Sequence, residues 1–409
     1  MDRRLEVRLH GADAGTLVLK ENGNMQFRYN EGYAGPPISV ALPVRSEAYS
    51  HHDCLAWFGG LLPEGDVRTA LARALGTSPS NQFRILGEIG GDCAGAVELV
   101  PADLRRANAL EPLTLSEAEF DEVIRALPRR PLGANPGEGI RMSLAGAQPK
   151  LPAIFEPTRI AQSGFALPRG SGPPTTHLVK PEPEAFPGMV DNEFFCMTLA
   201  RNVGMDVALT DSIETKSGED CLVVRRYDRH ADDEGVVRRV HQEDFCQALL
   251  VRPEDKYQED GGPSFASVAS LLRRESRAPI DDLNRLWEAA IFNWAIGNCD
   301  AHAKNFSLLH DGTAPRLAPL YDLVSTVVYP ELSARWAMTI GGARSVGEVS
   351  TKSWETLARE MNLAPRAALE RAKNLLERVK VLSDQMIAME RFRNAPAEAI
   401  AERIRQLEI

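Results

Sequence analysis

The 409-residue chain contains no run of eighteen apolar residues, so it offers no candidate for a membrane-spanning helix. Its opening residues, Met1-Asp2-Arg3-Arg4-Leu5, lack the apolar stretch of a secretory signal. Positive charge is not in excess. Lys and Arg number 47 against 57 Asp and Glu, a formal net charge of −10. A dedicated nucleic-acid binder usually carries a basic domain, so any DNA contact is expected through a partner. None of the six cysteines (Cys54, Cys93, Cys196, Cys221, Cys246, Cys299) forms a C-x-x-C pair. That pattern predicts reduced structural thiols and a cytoplasmic protein without membrane contact. Glycine and proline, at 31 and 27, stay near average, which excludes collagen-like and low-complexity chains. A composition of 44% hydrophobic and 25% charged residues fits two or three folded domains.

Periodicity divides the chain. Leu5 to Leu9, Gly15 to Leu19 and Met25 to Tyr29 alternate as strands, the last after the turn Asn22-Gly23-Asn24. Residues 1 to about 100 therefore read as strand-rich, with a helix near Asp66 to Leu75, and a further helix follows Ser116 through Ile124. The Pro- and Gly-rich segment 128–139 reads as a boundary. Strands are expected again at Leu151–Phe155, Thr176–Lys180 and Cys221–Val224, with a helix capped by Asp191 and ending near Gly204. Beyond about 240 the pattern becomes helical. Leu283, Leu286, Trp287, Ala290, Ile291 and Trp294 mark one face of a helix that stops at Gly297-Asn298. The expected division is a strand-rich subdomain at 1–130, a nucleotide-binding lobe at 138–235 and a helical catalytic lobe at 236–409.

Chemistry enters after that helix. In Asp300-Ala301-His302-Ala303-Lys304-Asn305, an acid precedes an asparagine by five positions. Protein kinases use this spacing to set a proton acceptor beside the attacking hydroxyl and an amide oxygen on magnesium. Leu317 to Tyr321, read as a short strand, then leads to Asp322, where a second metal-binding acid belongs. Leu323 and Val324 replace the Phe-Gly of ordinary eukaryotic kinases. Upstream, Lys180 ends a strand and Glu193 opens the following helix, the arrangement kinases use to grip α- and β-phosphates. Before both lies Ser143-Leu144-Ala145-Gly146-Ala147-Gln148-Pro149-Lys150, whose small residues let backbone N–H groups approach phosphates.

Each residue alone has a plain structural reading. Asp300 suits a turn, Lys180 a solvated strand end, and Glu193 the dipole of a first helical turn. His302 with Cys299, and His51-His52-Asp53-Cys54, read as packing rather than metal sites, since no second pair stands at zinc spacing. The Trp287/Trp294 stripe reads as core. The order of parts favours the chemical reading: phosphate loop, lysine, helix glutamate, Asp-x4-Asn, then Asp.

These segments together resemble the HipA family of bacterial Ser/Thr kinase toxins in type II toxin–antitoxin modules. The resemblance is carried by Leu61-Leu62-Pro63, Gly87 to Gly90 with Gly95 to Val97, Ser143 to Gln148, Thr175-Thr176-His177 and Asp191-Asn192-Glu193. It continues through Arg226-Tyr227-Asp228-Arg229, His241 to Asp244, Gly261-Gly262-Pro263, Asp300 to Asn305 and Pro319 to Ser325, and no motif aligns beyond about 330. It implies an α+β, two-lobed protein-kinase-like fold with an N-terminal strand-rich subdomain and a helical C-terminal lobe.

The resemblance also implies roles. Asp300 is the catalytic aspartate, Asn305 and Asp322 hold Mg2+, and Lys180 contacts ATP phosphates, with Glu193 as its candidate partner. Ala145, Gly146, Ala147, Gln148, Lys150, Arg226, Tyr227, His302, Lys304 and Asn305 line the ATP site. Ser143 is the autophosphorylated serine whose phosphate drives the loop out and switches the enzyme off. The implied substrate is a protein serine, as in an aminoacyl-tRNA synthetase. The implied partner is a HipB-like helix-turn-helix antitoxin that carries the DNA contact. Two positions depart from the family: Arg225 replaces a common acidic hinge residue, and Ala301 a common glycine. Two other readings compete: a non-catalytic co-repressor that keeps the fold and binds the antitoxin, and a kinase acting on a small molecule or lipid.

Overall fold

A computed structural model describes residues 3–101, 111–133, 135, 140–155, 163–169 and 172–409. The chain divides into two compact units, Met1–Pro181 with Ile213–Pro253, and Glu182–Ser212 with Glu254–Ile409. The first unit takes in the expected 1–130 subdomain and, of the expected 138–235 lobe, all but residues 182–212, and it extends to Pro253; the 128–139 segment, only partly described, lies inside it.

The first unit begins with a four-stranded sheet in the order Met25–Tyr29, Ala12–Leu19, Arg3–Leu9, Val97–Pro101. Leu5, Val7 and Leu9 turn inward while Arg4, Glu6 and Arg8 stay outside, the period-2 pattern of a half-buried strand. The inner face is covered by helices His51–Gly59 and Gln82–Ile89, which bury Trp57, Phe58, Phe83, Leu86 and Ile89 against it. The first hundred residues are therefore mixed rather than strand-rich. The helix at His51 starts on a capping box, in which the Ser50 hydroxyl accepts the Asp53 N–H and the Asp53 carboxylate accepts the Ser50 N–H. This arrangement explains the His51 to Cys54 segment as a helix start.

A second core lies in the same unit. It forms on a sheet in the order Leu113–Thr114, Phe165–Leu167, Leu151–Phe155, His177–Pro181, Asp220–Arg225, Thr210–Glu214. Helix Glu117–Ala126, capped by Ser116 as its sequence predicts, packs Phe120 and Ile124 against Leu151, Phe165 and Val179. The two cores meet around a buried ionic knot. Asp92 receives hydrogen bonds from Thr175 and Arg229, while Arg226 and Arg229 both pair with Asp228. All four charged groups are under 8% exposed, so the guanidinium–carboxylate geometry must replace the lost hydration.

The second unit is helical. Its principal helix, Pro279–Ile296, begins one turn before the expected start because Pro279 stands at N1 and Asp281 and Asp282 favour the first turn. It ends at Gly297, whose φ of +75° is a left-handed cap that a side chain resists. Trp287 and Trp294 each meet the Trp354 ring edge-on, with centroids 5.6 and 5.4 Å apart, so the tryptophan stripe is core as read. Trp354 belongs to helix Thr351–Glu360, and helices Pro365–Ile387 and Ala395–Arg405 pack on Pro279–Ile296. The residues beyond 330, which carry no legible motif, thus complete this core. Strands also persist here, at Ser307–His310, Arg316–Leu317, Arg335–Ile340 and Ala343–Ser345. Helix Met189–Asn202 starts from Gly188, so Asp191 lies in its first turn and is not the cap. Among the described residues no helix is long and apolar enough to cross a membrane. All six cysteines are free and buried.

Candidate active site

In the second unit the residues that follow Gly297 turn sharply. His302 N–H donates to the Asp300 carbonyl at 2.7 Å, and Asn305 N–H to the His302 carbonyl at 2.9 Å, closing a short 3-10 turn at Ala303–Asn305. The turn buries Ala303, His302 and Lys304 and leaves Asp300 and Asn305 partly exposed. The Asp300 side chain is 50% exposed, and its Oδ1 accepts the Tyr257 hydroxyl at 2.8 Å. The His302 ring lies edge-on to Tyr257 at 5.5 Å, with Nε2 4.0 Å from Asp300 Oδ2. Tyr257 thus orients the acid without burying it.

The Asn305 amide is oriented as well. Its Nδ2 donates to the Asp300 carbonyl at 3.1 Å, which leaves the amide oxygen as the acceptor of the group. Asp322 has a φ of +53°, a left-handed backbone uncommon for any residue but glycine. The expected strand before it is only Arg316–Leu317; the chain then runs irregularly, held by Ala208 N–H to Leu320 O at 2.8 Å and Leu320 N–H to Asp206 O at 2.9 Å.

Asn298 connects the two segments. Its side chain accepts the Asp300 N–H at 3.2 Å and donates to the Asp322 carbonyl at 3.3 Å. Asn192 clamps the same region from the neighbouring helix, donating to the Ser325 carbonyl and accepting the Ser325 N–H. Thr326 accepts the Cys299 N–H at 2.9 Å. Sequence reasoning missed Asn298, Asn192 and Tyr257 as site residues. Asn298 reads as a helix stop and Asn192 as the neighbour of Glu193, and only the fold joins Tyr257 to Asp300.

Asn305 and Asp322 supply hard oxygen donors. Magnesium takes one or two carboxylates with phosphates and waters, so this pair fits a metal shared with a nucleotide. Among the described residues no cluster of three or more His, Cys, Asp or Glu gathers for an all-protein metal site.

The first unit holds the phosphate-loop candidate. Ser143 is fully buried, donating its hydroxyl to the Leu61 carbonyl at 2.7 Å and its N–H to the Asp92 carbonyl at 3.0 Å. Gly146 has φ +111°, and a Cβ there would lie 2.6 Å from Lys150 Nζ, so glycine is required. Lys150 in turn donates to the Ala145 carbonyl at 2.8 Å. Ala147 is exposed, and Ala145 and Gln148 are partly so. Lys180 lies buried on strand His177–Pro181, opposite Leu222. Glu193 is buried on Met189–Asn202 in the second unit.

Arg226, expected at the ATP site, is 5% exposed. Its guanidinium donates to Asp228, Thr175 and the Cys93 carbonyl, all within the buried knot. These contacts occupy the guanidinium in this structure. The Tyr227 hydroxyl likewise donates to Gln242.

Comparison with known proteins gives the family. The model of the HipA-like C-terminal domain matches residues 142–383, and that of the HipA N-terminal domain matches residues 5–100. The chain belongs to the HipA kinase family. The family match runs well past 330, where the sequence motifs end. The putative kinase Y4mE of Sinorhizobium fredii is 44% identical over 92% of this chain and 90% of its own length. The serine/threonine-protein kinase toxin HipA of Shewanella oneidensis is 32% identical over 75% of this chain and 71% of its own length. A solved complex of Shewanella oneidensis HipA with HipB and operator DNA superposes with TM-score 0.84 at 26% identity, covering 98% of this chain and 95% of that one. The fold is accordingly the α+β kinase-like fold expected.

Proposed function

We propose that the chain is an ATP- and magnesium-dependent serine/threonine protein kinase and a HipA-like toxin. The observation that carries this reading is the Asp300–Asn305–Asp322 set, partly exposed and tied together by the buried Asn298 amide. The substrate hydroxyl attacks the γ-phosphorus while its proton passes to Asp300. The bond to the bridging oxygen breaks, and ADP leaves with the electron pair. Asn305 and Asp322 hold the metal, which neutralises phosphate charge when bound. Lys180 and the Ser143–Lys150 segment hold the phosphates. Positioning and charge neutralisation, rather than a covalent enzyme intermediate, then account for the rate.

The remaining assignments follow the family. The substrate is a protein serine, with aminoacyl-tRNA synthetases as the first class to test. Ser143 is the self-modification site, whose phosphate displaces its own loop. The Shewanella relative solved with HipB and operator DNA supports a HipB-like partner here, with DNA bound through that partner. The net charge of −10 agrees with this division, and the six free, buried cysteines agree with a cytoplasmic location.

The test is intact mass and peptide mapping after incubation with Mg-ATP, wild type beside Asp300→Ala. Phosphate on Ser143 in wild type alone is expected. Nucleotide binding without phosphate on the chain or on any lysate protein would replace this reading with that of a non-catalytic co-repressor.

A further inference from the structure

Resting on the kinase reading, we propose that Asn298 is a positioning residue coupling magnesium affinity to the orientation of Asp300. The residue is 1% exposed, and both polar atoms of its side chain are engaged. One amide, anchored to the end of the Pro279–Ile296 helix, holds the backbone of the proton acceptor on one side and of the metal acid on the other.

The orientation of this amide is determined by a relay. Asn293 donates its Nδ2 to the Ala289 carbonyl at 2.9 Å, which leaves its Oδ1 as an acceptor. That oxygen can receive only an N–H, so the Asn298 group 2.8 Å away is Nδ2. The Asn298 oxygen therefore faces the Asp300 N–H, and the second proton of Nδ2 faces the Asp322 carbonyl. A left-handed backbone at a non-glycine residue persists only where its surroundings hold it. Asn298 supplies one such restraint at Asp322, whose carboxylate is offered to the metal.

Asn298→Asp separates this role from plain helix capping. It keeps the volume and the oxygen that receives the Asp300 N–H. It replaces the donor with an oxygen facing two acceptors, Asn293 Oδ1 and the Asp322 carbonyl. The expected result has two parts, read on the full chain by calorimetric titration with ADP alone and with ADP over a magnesium series. Metal-free ADP affinity stays within about twofold, while the apparent magnesium constant for ADP binding weakens about tenfold, the size of one lost hydrogen bond. The magnesium dependence of self-phosphorylation shifts in parallel. Asn298→Ser, which retains a small polar group but cannot reach both segments, is expected to do the same and serves if the aspartate variant does not fold. Thr326→Val loosens the neighbouring Cys299 N–H without touching Asp322, and is expected to lower the melting temperature with an unchanged magnesium constant. A lower melting temperature with unchanged metal dependence in the Asn298 variants would leave only a structural role and overturn the proposal. A wild type that binds no nucleotide would overturn the kinase reading and the proposal together. A wild type active alongside unaffected Asn298 variants would overturn the proposal alone.

Discussion

A negative charge at Ser143 should expel the segment that carries it. In the closed arrangement the Ser143 hydroxyl meets only the Leu61 carbonyl, and its N–H meets the Asp92 carbonyl. Both neighbours are acceptors, so neither can stabilise an anion, and the site is fully buried. Opening the segment breaks these two bonds and the Glu64 N–H to Gly146 carbonyl bond at 3.1 Å, and exposes Leu144, which is 7% exposed when closed. Three hydrogen bonds at ~1 kcal/mol each and a leucine at ~2 kcal/mol place the opening cost near ~5 kcal/mol. An unpaired buried carboxylate costs at least several kcal/mol, enough to match or exceed it. Ser143→Asp is therefore expected to open the segment, whereas Ser143→Ala loses one bond, ~1 kcal/mol. Hydrogen exchange reads this directly, since ~5 kcal/mol corresponds to a protection of roughly 10³- to 10⁴-fold. The Ser143 and Gly146 region should keep most of that protection in the alanine variant and lose it in the aspartate variant. Trypsin should then cut after Arg141 and Lys150 in the aspartate variant first. An aspartate variant that exchanges as slowly as wild type would refute the argument.

Other expectations follow from the same reasoning. Burial pushes the Asp92 carboxyl up, but Arg229, Arg226 and Arg239 hold it well below the usual carboxylate range, and Asp228 is lowered similarly. Both acids are depressed in the fold, so their stability is present above the unfolded value near ~3.9 and is lost as pH falls toward the folded values. Thermal unfolding of the first unit should therefore fall steeply below about pH 4, and more shallowly in Asp92→Asn, even though that variant starts less stable. Trp354→Ala removes a side chain 1% exposed and two edge-on ring contacts, which should cost the second unit about 3–5 kcal/mol by chemical denaturation. Arg403 donates to the Trp294 carbonyl at 2.9 Å, near the C-terminal end of the helix that precedes Asp300. Arg403→Ala should speed hydrogen exchange at residues 294–298 about tenfold, for a loss of ~1.5 kcal/mol.

The candidate site was partly legible because part of it is local. Asp300 and Asn305 lie in one turn, and their spacing survives in the linear chain. The Gly297 cap and the Trp287/Trp294 stripe were legible for the same reason, since helical period and left-handed caps are properties of neighbouring residues. What holds the site is not local. Tyr257 reaches Asp300 across 43 residues, and Asn192 reaches Ser325 across 133. A tyrosine or an asparagine in isolation carries no mark of such a partner.

The same distinction explains Arg226. Its position in an Arg-Tyr-Asp-Arg segment matches a family motif, but its charge is satisfied by Asp92 and Asp228, brought together only when the two cores of the first unit meet. Residue type and spacing by themselves pointed to the family and to the helix that precedes the Asp300–Asn305 turn. The tertiary structure decided which polar groups stay exposed and which are consumed inside. The reason is physical: hydrogen bonds and desolvation depend on what a group meets in space, and neighbours in space are assigned by packing rather than by sequence distance.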